Sequence, residues 1–184
     1  MNGINHNNLL PSLMLQPGEL TKEQLPQGSV LYKGGTHETF DKEAARNVTL
    51  GEEWSGNYFS QDKETALGYT CPESGSGSGY VHKLRVDMPI DVLVNHNQHY
   101  GRGDVTGESK AQHIKQHLAE NPTILGNIDT SLPLMAALDN NNIGFMGPLD
   151  NEGSQEVILG GNTIDNLTKT ETEEIKYRGG LEIK

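Results

Sequence analysis

The sequence contains few of the residues that mark several common protein classes. It has a single cysteine, Cys71, in 184 residues, which excludes an internal disulfide and fits a reducing compartment. Its 14 basic residues are outnumbered by 25 acidic ones, so the net charge is −11. Nucleic acids and anionic membranes attract basic surfaces, and no local basic stripe is present. No apolar run is long enough to span a bilayer. We therefore expect neither a nucleic-acid partner nor a membrane partner.

The beginning of the chain is polar and interrupted by proline. Residues 1–8 lack the basic start and the apolar run of a signal peptide, so we expect none. Three prolines lie within residues 1–28 and exclude a long helix there, although residues 21–24 have the pattern of one helical turn. The sequence predicts an N-terminal arm over residues 1–28 that lies on a single catalytic domain, residues 29–184.

Strand and helix patterns alternate irregularly along that domain. Period-two patterns or short apolar runs predict strands at residues 29–33, 56–60, 80–86, 90–94, 157–159 and 173–177. Helical patterns cover residues 40–46, 61–69, 108–120 and 130–138, and residues 144–154 have the composition of an irregular polar loop. This mixture predicts an α+β fold with mostly antiparallel, packed sheets and flanking helices.

Three segments share one form: each is a strand with a polar side chain near a glycine or at one end of the strand. They are Leu31-Tyr32-Lys33-Gly34-Gly35, Tyr58-Phe59-Ser60 and Gln155-Glu156-Val157. Glu156 stands where a polar loop enters the apolar run Val157-Ile158-Leu159, so the sheet would fix its backbone while its carboxylate reaches the rim. The alternative for each polar residue is a structural role, in which Glu156 only keeps the end of a strand soluble.

Together, these segments resemble the three-part signature of the ADP-ribosyltransferase superfamily, whose members move ADP-ribose from NAD to an acceptor. The match covers residues 29–177 in outline. The middle segment, Gly56-Asn57-Tyr58-Phe59-Ser60 followed by a helical pattern over residues 63–69, is the most similar, and the order and spacing of the three segments also agree. The resemblance implies an ADP-ribosyltransferase-like fold and a mono-ADP-ribosyltransferase activity with NAD as co-substrate.

The resemblance also assigns catalytic roles. Cleavage of the bond between nicotinamide and ribose passes through an oxocarbenium-like centre, which one carboxylate can stabilise. That role goes to Glu156. Ser60 would orient Glu156 through a hydrogen bond, and Tyr58 would stack on nicotinamide.

Cofactor contacts are implied at the same two strands. Backbone groups of Gly34 would bind the nicotinamide amide, and Lys33 would hold the pyrophosphate. The residues implied at the cofactor are Tyr32, Lys33, Gly34, Tyr58, Phe59 and Ser60. Lys33 stands where the family has Arg or His, and a lysine keeps the charge but lacks the planar bidentate fork of arginine.

The acceptor side differs from the family pattern as well. Ser154 occupies the position two before the catalytic glutamate, where Glu goes with arginine acceptors, so a serine or threonine acceptor is the expectation here. Ser154, Gln155 and Phe145 are the predicted acceptor-recognition residues. Phe145 is either an exposed anchor for a protein target or a residue packed under the loop, and the sequence leaves both open.

Partners and alternatives follow from the same comparison. The resemblance implies a secreted bacterial effector that acts in the host cytoplasm on a protein such as ubiquitin, a small GTPase or actin. Two alternatives remain: a protein-binding module that no longer turns over NAD, and an NAD glycohydrolase. His113 and His117 have the i, i+4 spacing of metal ligands but no third ligand at a suitable spacing, so no metal site is predicted.

Overall fold

Two β-sheets, built mostly from antiparallel strand pairs, form the frame of the molecule. The computed structural model describes residues 10–101, 105–148 and 155–184, without the side chain of Gln155. The strands are β1 Leu20–Leu25, β2 Val30–Gly35, β3 Asn57–Phe59, β4 Gly77–Val86, β5 Ile90–Asn95, β6 Ile143–Pro148, β7 Gln155–Leu159, β8 Leu167–Arg178 and β9 Leu181–Glu182. The helices are α1 Lys42–Arg46, α2 Lys63–Leu67, α3 Gly107–Glu120 and α4 Leu134–Asp139. In this part of the chain, no helix is long and apolar enough to cross a bilayer.

Among the described residues, one sheet has five strands and the other has four. Their orders are β1-β5-β6-β7-β3 and β2-β4-β8-β9. Each pairing of these strands is antiparallel except β5 with β6. That parallel pair is joined by the long connection that carries α3 and α4, as parallel strands require. The predicted α+β class with mostly antiparallel sheets is therefore confirmed.

The five-stranded sheet separates two apolar clusters, because successive side chains of a strand point to opposite faces. On one face, Leu93 and Ile158 pack with α3 and α4. On the other face, Val92 and Val157 pack with Leu31 and other residues of the four-stranded sheet. Each face of β5 and β7 is thus buried, which explains their nearly continuous apolar sequences.

The predicted loop at residues 144–154 is wrong over its first half, where the chain forms β6. The two glycines of β6 suggested a loop, but each lies where an added Cβ would crowd a neighbouring residue. A Cβ on Gly144 would lie 2.5 Å from Leu159 Cδ2, and a Cβ on Gly147 would lie 3.1 Å from Asn95 Cβ. Glycine here permits close approach within a sheet and does not mark a turn.

The helical turn predicted at residues 21–24 is also wrong, because this segment is β1. It pairs along its length with β5, from Leu20 opposite Asn95 to Leu25 opposite Ile90. Both leucines are buried, so tertiary pairing overrides the local capping pattern. Part of the segment that we predicted as an arm thus belongs to the five-stranded sheet.

A buried carboxylate at the end of α4 provides a test of stability. Asp139 accepts the backbone N–H of Asn162 at 3.2 Å, and burial raises the pKa of Asp139, an effect that this hydrogen bond partly offsets. A raised pKa in the folded state favours folding below the carboxylate's unfolded pKa of roughly 3.9, and that stabilisation is lost as the pH rises through the folded pKa. We expect Asp139→Asn to be more stable than the wild type at neutral pH, with a difference that shrinks in acid.

Urea unfolding across a pH series measures this effect. Asp129→Asn is the matched control, because the Ser131 hydroxyl and backbone N–H lower the pKa of Asp129. Asp129→Asn is expected to lower the stability of the protein at neutral pH, and this loss should disappear in acid. A protein with Asp139→Asn that is less stable than the wild type at every pH would contradict the role of burial.

Candidate active site

The two sheets meet where β2 of one passes the end of β3 of the other. The Tyr32 N–H donates to the Ser60 carbonyl at 2.7 Å, and the Ser60 N–H donates to the Tyr32 carbonyl at 2.8 Å. This single bridge places the first two sequence motifs side by side. Because Phe59 is opposite Val157 in the register of β3 with β7, the third motif lies next to the second.

A cavity of about 370 Å³ opens beside this bridge. Its walls are formed by residues of β2, β3, α2 and β7, together with Ser60, directly after β3, and Tyr69, two residues after the end of α2. The lining residues are Tyr32, Lys33, Gly34, Tyr58, Phe59, Ser60, Ala66, Tyr69 and Glu156. Seven of these nine are residues for which the sequence predicted catalytic or cofactor roles. The structure thus brings together three segments that are far apart in the chain.

Gly34 contributes backbone groups to this side of β2. The backbone N–H and C=O of Tyr32 point away from β4 and bond to Ser60. Because these groups alternate in direction from one residue of a strand to the next, those of Gly34, two residues further on, also point away from β4. A Cβ on Gly34 would lie only 1.8 Å from the Ala66 carbonyl oxygen. Glycine at this position is what allows α2 to pack directly on β2.

Lys33 places an ammonium group between the two motif strands. Its Nζ donates to the Tyr58 carbonyl at 3.0 Å and lies 5.3 Å from the centroid of the Phe59 ring. Burial lowers the pKa of Lys33, and the negative charge of Glu156 opposes this shift. The ammonium is therefore tethered to β3 and is electrostatically coupled to the carboxylate.

Glu156 is buried, with 6 % of its surface exposed, although it carries a carboxylate. The Tyr69 hydroxyl donates to Glu156 Oε1 at 3.0 Å. Tyr69 follows α2 and is a site residue that the sequence analysis did not identify. The available signal was its place at the end of the helical segment 63–69, which already carried part of the resemblance.

Ser60 does not have the contacts that the sequence predicted for it. Its hydroxyl accepts the backbone N–H of Asp62 at 3.0 Å, and Tyr69 makes the contact to Glu156 that we had assigned to Ser60. The cap of α2 is Asp62, whose Oδ1 accepts the Glu64 N–H at 3.1 Å. Ser60 instead shapes the turn that leads from β3 into α2.

Tyr58 is fixed at both ends, and the residue stays 37 % exposed. Its carbonyl accepts from Lys33, and its hydroxyl donates to the Trp54 carbonyl at 2.5 Å. Burial raises the pKa of Tyr58, and the charges of Glu156 and Tyr69 add to the shift. A ring held in this way offers a preorganised wall for a planar ligand.

Of the three predicted acceptor-recognition residues, the structure describes Phe145 and the backbone of Gln155. Phe145 is fully buried and packs edge-on against Trp54 with ring centroids 4.9 Å apart, so it is a core residue and not an exposed anchor. The backbone of Gln155 pairs with Pro148 in the five-stranded sheet. Ser154 lies outside the described residues.

A second cavity, of about 420 Å³, adjoins the first along β2. The two cavities share Lys33 and Gly34. His82 lines the second cavity from β4, opposite Lys33 in the register, and its Nε2 lies 2.9 Å from the His37 carbonyl, to which it donates. Burial lowers the pKa of His82. A ligand that reached from one cavity to the other would pass beside Lys33 and Gly34.

His113, one of the two histidines with metal-ligand spacing, has other partners. His113 Nδ1 donates to the Ser109 carbonyl at 2.7 Å, and its Nε2 accepts the Leu10 N–H at 2.8 Å. Over residues 10–101, 105–148 and 155–184, no group of three or more His, Cys, Asp or Glu side chains is placed to hold a metal ion.

Comparison with known proteins adds no assignment. No protein-family model matches the chain, and no curated protein matches it. Any functional inference therefore depends on the residues around the two cavities and on the sequence motifs that supply them.

Proposed function

We propose that this protein is a mono-ADP-ribosyltransferase that transfers ADP-ribose from NAD to a protein side chain, on an ADP-ribosyltransferase-like fold. The observation that carries the proposal is the convergence of Glu156, Lys33 and Gly34 on one cavity, where β2 meets β3. A buried carboxylate, a nearby cation and outward-pointing strand backbone are the groups that this reaction needs.

The arrangement of the two cavities supports NAD as the ligand. NAD consists of two nucleotide halves linked by a pyrophosphate, and Lys33 and Gly34 line both cavities. In this proposal nicotinamide would lie in the smaller cavity, against the Tyr58 ring and the backbone of Gly34. The other nucleotide half would lie in the larger cavity, with the anionic pyrophosphate near the ammonium of Lys33.

The side chains of the smaller cavity suit glycosyl transfer. In the reaction, the bond between nicotinamide and ribose breaks, nicotinamide leaves with the electron pair, and the acceptor atom bonds to ribose C1 and loses its proton. Glu156 would stabilise the positive charge that develops on the ribose and would orient a ribose hydroxyl. Tyr69 would hold that carboxylate in place.

The acceptor and the setting belong to the same proposal. The acceptor would be a serine or threonine of a host protein, which agrees with the position of Ser154 in the sequence. The protein itself would be a secreted bacterial effector, which agrees with its acidic composition. A basic face on the target would complement the net charge of −11.

Labelled NAD incubated with host-cell lysate tests the proposal. Label on a protein band would support the transferase. Nicotinamide release without labelled protein would instead identify an NAD glycohydrolase. A folded protein that neither binds NAD nor releases nicotinamide would contradict both enzymes and leave the protein-binding module.

The contact between Tyr69 and Glu156 gives a sharper prediction. Tyr69→Phe removes one hydrogen bond to a charged group, which is worth about 1.5–3 kcal/mol, so we expect kcat for nicotinamide release to fall by roughly tenfold to a hundredfold. Tyr177→Phe is the control, because its hydroxyl bonds to Thr70 and not to a residue of the cavity wall. Equal rates for wild type and Tyr69→Phe would exclude a role for this hydroxyl.

A further inference from the structure

A buried ion pair anchors the segment that precedes β3. Lys115 Nζ on α3 lies 2.6 Å from Glu53 Oε1, and the two side chains are only 4 % and 16 % exposed. Lys115 also donates to the Leu132 carbonyl at 3.2 Å. Neither Glu53 nor Lys115 lines either of the two cavities described above.

Glu53 joins three elements at once. Its Oε2 accepts the Leu134 N–H at 2.7 Å, and its carbonyl accepts the Met135 N–H at 3.1 Å. Since both donors belong to the first turn of α4, Glu53 satisfies backbone groups that the start of the helix would otherwise leave unpaired. The backbone of residue 53 is therefore fixed to α3 and α4 together.

Trp54 carries this anchoring to the cavity. Its indole Nε1 donates to the Gly107 carbonyl at 2.7 Å, and its ring packs edge-on against Phe145. Its own carbonyl accepts the Tyr58 hydroxyl. A continuous set of contacts thus runs from the buried ion pair, through the backbone of residues 53–54, to a ring in the cavity wall.

We propose that Glu53 and Lys115 are positioning residues that fix the Tyr58 ring at the nicotinamide position through Trp54; the proposal rests on the function proposed above. A buried ion pair is often no more stabilising than apolar residues of similar size, so stability alone is weak grounds for this pair. A positioning role would account for the ion pair, because a small displacement of a residue in the cavity wall weakens the binding of a planar ligand.

The double substitution Glu53→Gln with Lys115→Met tests the proposal, because it removes both charges together and leaves no unpaired buried ion. We expect its urea midpoint to stay near that of the wild type, the KM for NAD to rise about tenfold, and kcat to change much less. Lys22→Met is the control: it breaks the surface pair between Lys22 of β1 and Asp91 of β5, and β1 lies at the opposite edge of the sheet from β3. It should leave the KM within about twofold.

Trp54 is the only tryptophan of the chain, so its fluorescence reports on these contacts without NAD. The double variant should show Trp54 emission at longer wavelength as the indole is exposed to water. This readout tests the positioning contacts even if the wild type proves not to bind NAD, which would contradict the proposed function alone. A stable double variant with unshifted emission and an unchanged KM would show that the ion pair is only structural.

Tyr58→Phe keeps the proposal testable if the double variant does not fold. It removes the hydroxyl that bonds to Trp54 and keeps the ring, so it breaks the last contact of the set. We expect the same rise in KM as in the double variant, and less than additive effects when the changes are combined. An unchanged KM in Tyr58→Phe would overturn the proposal.

Discussion

Glu156→Gln is expected to reduce the transfer of ADP-ribose from labelled NAD by about a hundredfold or more. The substitution keeps the volume of the side chain and its ability to accept from the Tyr69 hydroxyl, but it removes the negative charge. If that charge stabilises the cationic centre on the ribose, the loss appears in kcat while NAD binding changes little. Single-turnover nicotinamide release together with NAD titration measures both quantities.

Glu171→Gln is the matched control, since Glu171 is exposed on β8 and outside both cavities. It should behave as the wild type in both assays. Glu156 is buried, so a thermal unfolding curve of Glu156→Gln must accompany the kinetics. Wild-type transfer by a folded Glu156→Gln protein would refute the catalytic assignment, whichever acceptor is modified.

The second large effect is expected from Gly34→Ala. An added methyl group would lie 1.8 Å from the Ala66 carbonyl oxygen, and that atom belongs to helix backbone that cannot rotate away. Overpacking usually costs about 1–3 kcal/mol, and a clash with backbone belongs at the upper end of this range or above it. Displacement of α2 would also carry Tyr69 away from Glu156. We expect a lower urea midpoint and loss of transfer.

Gly35→Ala provides the comparison for that result. A Cβ on Gly35 meets no atom within 4 Å, and neither Gly34 nor Gly35 has a positive φ. Gly35→Ala is therefore expected to stay within about 0.5 kcal/mol of the wild-type stability. Equal unfolding midpoints for the two variants would mean that α2 does not pack on β2 as described.

The motif strands were predictable because each carries a local signal. Val30 to Tyr32 is a short, mostly apolar run that ends shortly before a glycine pair, and the residues after Glu156 form a short apolar run bounded by glycine, so β2 and β7 follow from their own sequences. Their assembly around one cavity was expected only through the family resemblance. The pattern of apolar and polar side chains along a strand does not specify which other strand it pairs with.

What the sequence did not reveal depends on contacts between distant residues. Gly144 and Gly147 have a loop composition, yet they lie in β6, where neighbouring residues leave little room for a side chain. The pairing of Glu53 with Lys115 and the contact of Tyr69 with Glu156 join residues far apart in the chain. No local pattern distinguishes these residues from ordinary surface charges and aromatics.

The position of β1 has a consequence for solubility. As the outermost strand of the five-stranded sheet, it occupies the hydrogen-bonding edge of β5 along residues 90–95. Without it, that edge would present unpaired backbone groups beside a strongly apolar strand, which is a template for association between chains. Its four inner side chains, Thr21, Lys22, Glu23 and Gln24, are polar or charged and at least partly exposed. β1 therefore occupies the edge of β5 and presents polar side chains in its place, which disfavours pairing of this sheet with another molecule.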